Sequence, residues 1–447
     1  MGIDVSWLLG VNDRRRVGEV ADLIGDRTQP CRSSFTRAGR ISLLALSIHA
    51  SFGEAAFAQE ALDISMAGEL AARSRRLAWE QQPYSLKLGE AKMRWATSLA
   101  AEWNNNVTLV EDDLLSDVIF RPQITTDLWW PITPANVLEV SVAAGYNKYV
   151  SHDEFDRAYV LPGSAVSFDV FLRDVRLTLE DRLLYQQDPV DSALVTGTAE
   201  FGGLQNVGGV QALFDWNDAQ LLASYHHLLF ISSTADYEYL NRSSHQLFTQ
   251  FSLQPRPELE AGVQLGLTPT SYHDSYLLDN LSYSAGAFIE YAVSPNLSVQ
   301  GRGGAVLFNY DSAPGQPTAS DVSNLYFEMG GTLQLRKLIN LSLRGGQETQ
   351  LGVNNDLVEL HYVRTQVDWL FARRVSLATH FFFEGGRESG LLGSEDFKRF
   401  GLITAATWRP HRKWSARLSY QFTTRDSESP DRSYDNHRVQ LQVSYQP

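Results

Sequence analysis

The last strand-forming stretch of the chain, Arg438-Val-Gln-Leu-Gln-Val-Ser-Tyr445, alternates strictly between polar and apolar side chains. Valine, leucine and tyrosine occupy the odd positions, and arginine, glutamine and serine occupy the even ones. Successive side chains of a β-strand point to opposite faces of its sheet, so this stretch predicts a strand with one apolar and one polar face. The preceding stretch, Trp414–Thr423, alternates in the same way.

One unit of this kind repeats from about residue 92 to the C terminus: an alternating strand of about ten residues, a tight turn, a second strand and a longer polar loop. The tight turns are Pro131–Asn136, Arg173–Asp174, Asn217–Asp218, Pro255–Pro257, Ser294–Asn296, Lys337–Asn340, Ala372–Arg374 and Pro410–Lys413. The long loops are Asn104–Asp117, Val150–Gly163, Gln187–Gly203, Ser232–Ser243, Thr268–Asn280, Asp311–Ser323, Gly352–Asp356, Arg387–Glu395 and Asp426–Asn436. Together they separate about eighteen strands.

Two architectures share a period near 40 residues, and they differ in strand length. A β-propeller blade has four short strands in that span and often carries Gly-His and Trp-Asp dipeptides, neither of which occurs here. Strands of about 9–11 residues instead match the thickness of the hydrocarbon core of an outer membrane. Because an unpaired backbone group is costly in lipid, the first strand must pair with the last. Residues 84–447 are therefore predicted to form an all-β fold, a single transmembrane antiparallel β-barrel of about eighteen strands, with short periplasmic turns and long extracellular loops.

Residues 1–58 are predicted to be a leader with an export signal peptide. Arg37 and Arg40 precede the apolar run Ile41–Ile48, and Ala56-Phe57-Ala58 predicts cleavage after Ala58. The only cysteine, Cys31, falls in this leader, so the mature chain is predicted to lack thiols. Residues 59–83 form a weakly amphipathic segment that predicts a helix in the periplasm before the barrel. Its role stays open between a periplasmic extension, a partial plug, a segment that docks a partner and a flexible remnant of the leader.

Composition and motifs exclude several classes of function. The 447 residues carry a formal net charge of −14 without a basic cluster, which argues against a nucleic-acid partner. The sequence contains no G-x-S-x-G, H-E-x-x-H or P-loop motif. The adjacent His226 and His227 would point to opposite faces of a strand and cannot chelate one metal together. We therefore predict no enzyme, no catalytic residue, no metal and no cofactor.

Six tryptophans lie close to the short turns, where they predict an aromatic girdle at one membrane interface. They are Trp129, Trp130, Trp216, Trp369, Trp408 and Trp414.

Asp181 does not fit this exterior, because alternation from Val175 and Leu179 turns its carboxylate toward lipid. Either Asp181 lies near the outer rim of the barrel or a bulge shifts the register.

The polar faces of the later strands supply candidate lumen-lining residues. The basic ones are Arg302, Arg336, Arg344, Arg364, Arg399, Arg417 and Arg438, and the acidic ones are Glu290, Glu328, Glu348 and Asp368. Two interpretations stay open: the arginines form a positive wall that concentrates anions, or they pair with the acids and brace the barrel. The acidic loop segments, such as Glu111–Asp113, match no calcium-loop spacing and are interpreted as a solvated rim.

Several segments resemble the β-barrel porin family of bacterial outer-membrane proteins. They are Glu102-Trp-Asn-Asn-Asn-Val107, Ser116–Pro122, Arg182–Asp188, Leu240–Ser244 and Gly346–Gly352. The resemblance implies an integral outer-membrane protein of a Gram-negative-type envelope that is a porin or takes part in exopolysaccharide secretion. Its implied partners are outer-membrane lipid and lipopolysaccharide, the barrel-assembly machinery and polysaccharide-export components. One departure is the C terminus, where Tyr445 is followed by Gln446 and Pro447 instead of ending the chain.

The function expected from these features is a pore for passive passage of hydrophilic solutes, with a preference for anions. Two alternatives remain: the exit pore of an exopolysaccharide secretion system, and a non-conducting barrel that serves as a scaffold of the envelope.

Overall fold

The computed structural model describes residues 84–447 with the exception of 134, 275, 312–320, 354–356 and 391–392. The predicted leader, residues 1–58, and the predicted extension, residues 59–83, lie outside the described residues. In the part of the chain that is described, no helix is long and apolar enough to span a membrane.

Nineteen strands, β1 to β19, account for most of the described residues, and three short 3-10 helices lie in the connections. The strands are Leu86–Leu88 (β1), Ala91–Asn104 (β2), Asp117–Thr133 (β3), Asn136–Tyr149 (β4), Arg157–Leu172 (β5), Val175–Gln187 (β6), Phe201–Asp215 (β7), Ala219–Ser232 (β8), Arg242–Arg256 (β9), Leu259–Tyr272 (β10), Asn280–Ser294 (β11), Leu297–Tyr310 (β12), Val322–Leu335 (β13), Ile339–Leu351 (β14), Leu357–Ala372 (β15), Val375–Gly390 (β16), Gly393–His411 (β17), Trp414–Ser427 (β18) and Tyr434–Tyr445 (β19). The 3-10 helices are Asp153–Phe155, Pro189–Asp191 and Ala235–Leu240.

The strands β2 to β19 close into a ring. Each pairs in antiparallel fashion with its neighbour in sequence, and β19 returns to pair with β2 from Arg438 opposite Asn104 to Tyr445 opposite Thr97. The short β1 pairs with β2 only through three residues. The prediction of an eighteen-stranded antiparallel barrel is therefore confirmed, and Tyr445 does end the closing strand.

The barrel wall has an apolar outer face and a polar inner face. On β13, Leu325 and Met329 are 69% and 72% exposed, whereas Tyr326 and Glu328 between them are 3% and 8% exposed. The exposed side chains are the apolar ones, which is the reverse of a water-soluble fold and suits a wall that contacts lipid.

The tight turns need backbone conformations that few residues adopt readily. Arg173, Asn217 and Arg336 have φ angles of 52°, 69° and 50°, and asparagine is among the residues that tolerate this region best. All these turns lie at one end of the barrel, here called the short-turn rim. The other end is the long-loop rim.

The prediction of a long loop at Arg387–Glu395 is wrong. Strands β16 and β17 remain paired as far as Gly390 opposite Gly393. On the outer face of this hairpin, Arg387 forms an ion pair of 2.6 Å with Asp396, so the outer face of these strands is polar here as well as the inner one. A strand that continues past the membrane no longer alternates, which is why the sequence pattern at this point is typical of a loop.

Connections at the long-loop rim fold inward and meet in an apolar cluster inside the barrel. It combines loop residues with strand ends from widely separated parts of the wall. Its buried members are Leu194, Val195, Phe201, Leu240, Tyr272, Leu277, Val353, Val358, Leu360 and Phe397, with Ala193, Phe230, Tyr237 and Tyr239 packed against them. We call it the mouth cluster.

Candidate pore and its constriction

The connection between β6 and β7, residues 188–200, is here called the inner loop because it enters the lumen. It begins with the 3-10 helix Pro189–Asp191, which Asp188 caps by accepting a hydrogen bond of 3.3 Å from the backbone N–H of Val190. Proline is well suited to the start of such a turn, where no backbone donor is needed. Val190 and Val195 are 0% and 1% exposed, so the loop is packed inside the barrel and not on its surface.

Arginines from distant parts of the chain bind the backbone carbonyls of the inner loop. Arg399 on β17 donates to the carbonyl oxygen of Val190. Arg425 on β18 donates to that of Ala193 at 3.2 Å, and Arg432 donates to that of Leu194 at 2.9 Å.

On the other side of the inner loop, Arg157 on β5 donates to the carbonyl oxygen of Ala199 at 2.6 Å. Because β5 and β17–β18 are separated around the ring, the inner loop is tied to the wall on two sides. Charged donors make these bonds stronger than ordinary backbone bonds.

The carboxylate of Asp188 anchors the start of the inner loop. Arg438 on β19 donates to both of its oxygens, at 2.8 and 2.9 Å, and Arg121 on β3 lies 3.5 Å away. Arg121 is also paired with Glu102 at 2.8 Å. The two-pronged contact of a guanidinium with a carboxylate fixes orientation as well as distance.

Glutamates on the barrel wall form ion pairs with arginines that hold the inner loop. Glu384 contacts Arg399 at 2.9 Å and Arg364 at 3.0 Å. Glu395 contacts Arg425 at 2.7 Å and also pairs with Arg432. Arg399, Arg425 and Arg432 are thus each close to a carboxylate, and the constriction contains charges of both signs.

Asp191 also lies in the inner loop, and no arginine of the described residues forms an ion pair with it. Burial raises the pKa of Asp191 to about 7, and the nearby carboxylate of Asp188 adds to the effect. Arg438, Arg399 and Arg121 oppose this rise without reversing it. In contrast, the arginines beside Asp188 outweigh its burial and hold the pKa of that carboxyl below its usual value.

Several predicted lumen residues form one connected patch on the inner wall. Glu328 is 3.3 Å from Arg302 and accepts a hydrogen bond of 2.7 Å from the hydroxyl of Tyr362. The guanidinium of Arg364 lies 4.4 Å from the centre of the Tyr362 ring, and Arg364 is 3.9 Å from Glu348. The pairs of Arg302 and Arg364 are of the kind that the second interpretation expects, in which acids and bases brace the wall, and both interpretations stay predictions.

Four more of the predicted lumen residues also lie on the inner face, and Arg344 among them is the cross-strand partner of Arg364. Asp368 accepts a hydrogen bond of 2.8 Å from Gln366 on the inner face of β15. Arg417 lies half-buried on the inner face of β18, opposite Gln442. Glu290 and Arg344 line a cleft of about 210 Å³ that opens near the short-turn rim.

Arg336 is placed outside the lumen. Strand β13 ends at Leu335, and Arg336 is exposed in the turn that follows, with a φ of 50°. The alternation from Leu325 to Leu335 assigns its side chain to the polar face, but the chain leaves the strand before this residue. Its predicted lumen position is therefore wrong.

Five of the six girdle tryptophans are exposed on the outer wall or in a turn at the short-turn rim. Trp130, Trp216, Trp369, Trp408 and Trp414 are 43%, 50%, 38%, 54% and 49% exposed. These are positions that an interfacial aromatic residue occupies.

Trp129 does not share their face, so its predicted membrane position is wrong. It is paired with Lys92, whose ammonium lies 5.0 Å from the centre of its ring. Two residues earlier, Asp127 pairs with Arg94 at 3.2 Å on the inner face. Adjacent residues on a strand point to opposite sides, so only one of Trp129 and Trp130 can face lipid.

Sequence patterns missed most residues that hold the constriction. Arg121 and Glu102 stand on polar strand faces and could have been found from alternation. Arg432 and Asp188 lie in loops, where no periodicity indicates which way a side chain points. Among the described residues, no group of three histidine, aspartate, glutamate or cysteine side chains is placed to hold a metal ion.

No family model matches the chain, and no curated protein matches it. Among solved structures, it is similar to OccD3 (OpdP) of Pseudomonas aeruginosa, with 10% identity over 79% of this chain and 91% of that chain and a TM-score of 0.47. The outer membrane protein opdK of the same organism has 11% identity over 80% of this chain and 99% of its own, with a TM-score of 0.45. OccAB4 of Acinetobacter baumannii has 10% identity over 79% and 98%, with a TM-score of 0.46. Such low identities and scores define neither a substrate nor a mechanism for this chain.

Proposed function

We propose that this chain is an outer-membrane pore for small hydrophilic solutes, with its narrowest point at the inner loop. The observation that carries the proposal is the combination of an apolar outer wall, a charged inner wall and a loop tied across the lumen by arginines from several strands. An apolar exterior requires lipid, and a polar interior admits water. A loop held inside such a barrel restricts the size of what can pass.

In this proposal the short-turn rim, where β1 begins and β19 ends, faces the periplasm, and the long-loop rim faces outward. The predicted signal peptide and the uneven length of the connections support this orientation, because outer-membrane barrels have short periplasmic turns. Solutes would meet the mouth cluster first and the inner loop next. The contacts with lipopolysaccharide, with the assembly machinery and with export components stay predictions.

A preference for anions stays an untested prediction, and because the lumen arginines are paired with acids we propose instead a lumen with little charge selectivity. Arg302, Arg364, Arg399 and Arg438 each have a carboxylate within 3.3 Å. Opposite charges at this distance cancel most of the field that would concentrate anions in the lumen. We therefore expect a reversal potential near zero in a salt gradient, and a strongly anion-selective current would contradict this part of the proposal.

Single-channel recording in planar bilayers tests the pore directly. The purified barrel should give small current steps because the inner loop narrows the lumen. Replacing residues 189–199 with a short Gly-Ser linker should raise the conductance several-fold, since Asp188 and the strand ends remain in place. A matched control replaces residues 428–431, which lie in a connection at the same rim, and should leave the conductance unchanged.

A non-conducting scaffold is the second candidate, and the mouth cluster favours it. Ten buried apolar side chains inside the long-loop rim exclude water from part of the cross-section. The two candidates differ in what the linker variant does. If neither the natural chain nor the linker variant conducts while both form folded barrels, the scaffold is correct and the pore is not.

A further inference from the structure

Polar side chains cross the outer face of β6 to β9 in a row of directly paired positions. Asp181 is paired with Gly208, Gly208 with His227, and His227 with His245. Asn206, Tyr225 and Ser243 adjoin this row on the same face. These seven residues, Asp181, Asn206, Gly208, Tyr225, His227, Ser243 and His245, are here called the outer strip.

Alternation on each strand places the outer strip on the lipid side. Leu179 and Leu183, two residues to either side of Asp181, are 47% and 36% exposed, whereas Glu180 is buried inside the barrel. The register of β6 is continuous through Asp181, so no bulge turns this residue inward. Of the two explanations for its misfit, the shifted register is thus wrong.

The outer strip is not the rim of the barrel, because apolar residues continue beyond it. On β6, Leu183 and Tyr185 separate Asp181 from the long-loop rim, and on β8, Leu229 and Ile231 separate His227 from it. A carboxylate on the lipid face is costly when apolar wall lies on both sides of it. This position argues against contact with lipid headgroups and points to a polar partner inside the membrane.

Hydrogen bonds within the strip satisfy only part of its polar groups. Asn206 donates to one oxygen of Asp181 at 2.7 Å. His227 Nε2 lies 2.9 Å from the hydroxyl of Ser243, and the hydroxyl of Tyr225 lies 2.9 Å from His245 Nδ1. The rings of the two histidines are 5.0 Å apart.

Gly208 leaves a notch at the centre of the strip. A Cβ atom at this position would meet only the second carboxylate oxygen of Asp181, at 3.5 Å. The carboxylate on one side and His227 on the other therefore flank a point where the wall has no side chain. A small residue of this kind lets another chain approach closely.

We propose that the outer strip is a contact between two copies of this chain within the membrane. The chemistry of the strip is complementary to itself: a carboxylate lies on one side of the notch and imidazoles lie on the other. Two barrels inserted with the same orientation are related by a two-fold axis along the membrane normal, which exchanges the two sides. Asp181 of each copy then approaches the His227 and His245 side of its partner across paired glycine notches.

Cysteine cross-linking in native outer membranes tests this contact at its centre. The Gly208→Cys variant, made in a Cys31→Ser background so that no other thiol is present, should form a disulfide-linked dimer after mild oxidation. Gly303→Cys is the matched control, because Gly303 also lies on the lipid face, on β12, and has room for a Cβ at 3.4 Å from its nearest neighbour. It should remain monomeric. Equal cross-linking of both variants, or none of either, overturns the proposal.

The molecular mass in mild detergent gives a second, independent measurement. The natural barrel should have the mass of two chains, and Asp181→Leu should shift at least half of it to the mass of one chain without loss of the folded barrel. If the natural barrel is a monomer or trimer, or if Gly208→Cys links to a protein of different mass, a second copy is not the occupant. These measurements need no current, so failure of the pore proposal would not affect them.

Discussion

Asp191 shows how one side chain can make the constriction sensitive to pH. Its pKa is raised to about 7 by burial and by Asp188 while the inner loop is inside the barrel. Released into water, the same carboxyl would return to its ordinary value. The inserted loop therefore holds a proton that the released loop loses, and its insertion is most stable below the ordinary pKa and weakens as the pH rises toward about 7.

Conductance should accordingly be lower at pH 5 than at pH 8. Between the ordinary pKa of the carboxyl and about 7, each unit of pH favours release of the inner loop by up to about tenfold. Asp191→Asn removes the titration and should keep the conductance low at both values. Bilayer recordings of both proteins at the two pH values measure the effect. If Asp191→Asn keeps the pH dependence of the natural protein, another group controls the loop.

At the scale of the strand, β3 shows what period-two alternation decides and what it does not. Positions 129 and 130 are both tryptophan, they are adjacent in sequence, and they lie near the same turn. Trp130 is 43% exposed and shares the lipid face with Leu128. Trp129 shares the inner face with Asp127. Proximity to a turn places a residue near a rim, but the parity of its position selects lipid or lumen.

Quenching by brominated lipids measures this difference. Trp130→Phe should reduce the part of the tryptophan fluorescence that brominated acyl chains quench, whereas Trp129→Phe should leave that part unchanged. The two variants are matched in size and in distance from the turn. An equal loss in both variants would mean that β3 does not present a single face to lipid.

At the scale of the whole molecule, closure depends on a strand pair that is the most distant in sequence. The β19–β2 pair joins residues more than three hundred positions apart, and Asn436 donates to Asn104 at 2.8 Å beside it. Without this pair, β2 and β18 would each expose a row of unpaired backbone groups to lipid.

Deleting residues 434–447 should therefore abolish the folded barrel. The full-length barrel should migrate differently in SDS gels before and after boiling, and the truncated chain should show only the boiled position. A chain lacking only Gln446 and Pro447, which follow the last strand pair, is the control and should keep both positions. A truncated chain that still gives the unboiled position would show that closure does not need β19.

Much of the architecture could be predicted from the sequence because a lipid-facing wall requires strict alternation. The strands from Leu325 to Leu335 and from Arg438 to Tyr445 carry this pattern, and their number, direction and closure follow from it. The pattern fails where a strand leaves the bilayer, as in the hairpin around Gly390, because water on both sides removes the need for an apolar face.

The sequence by itself determined which strands form the wall, which faces meet lipid and that the ends must join. It also showed that Asp181 places a carboxylate on a face that otherwise contacts lipid. Only the tertiary structure decided that residues 188–200 enter the lumen, that Arg399, Arg425 and Arg438 hold them there, and that Asp181 shares an outer face with His227. The physical reason is that alternation reports the environment of each strand locally, whereas these contacts join residues that come together only when the barrel closes.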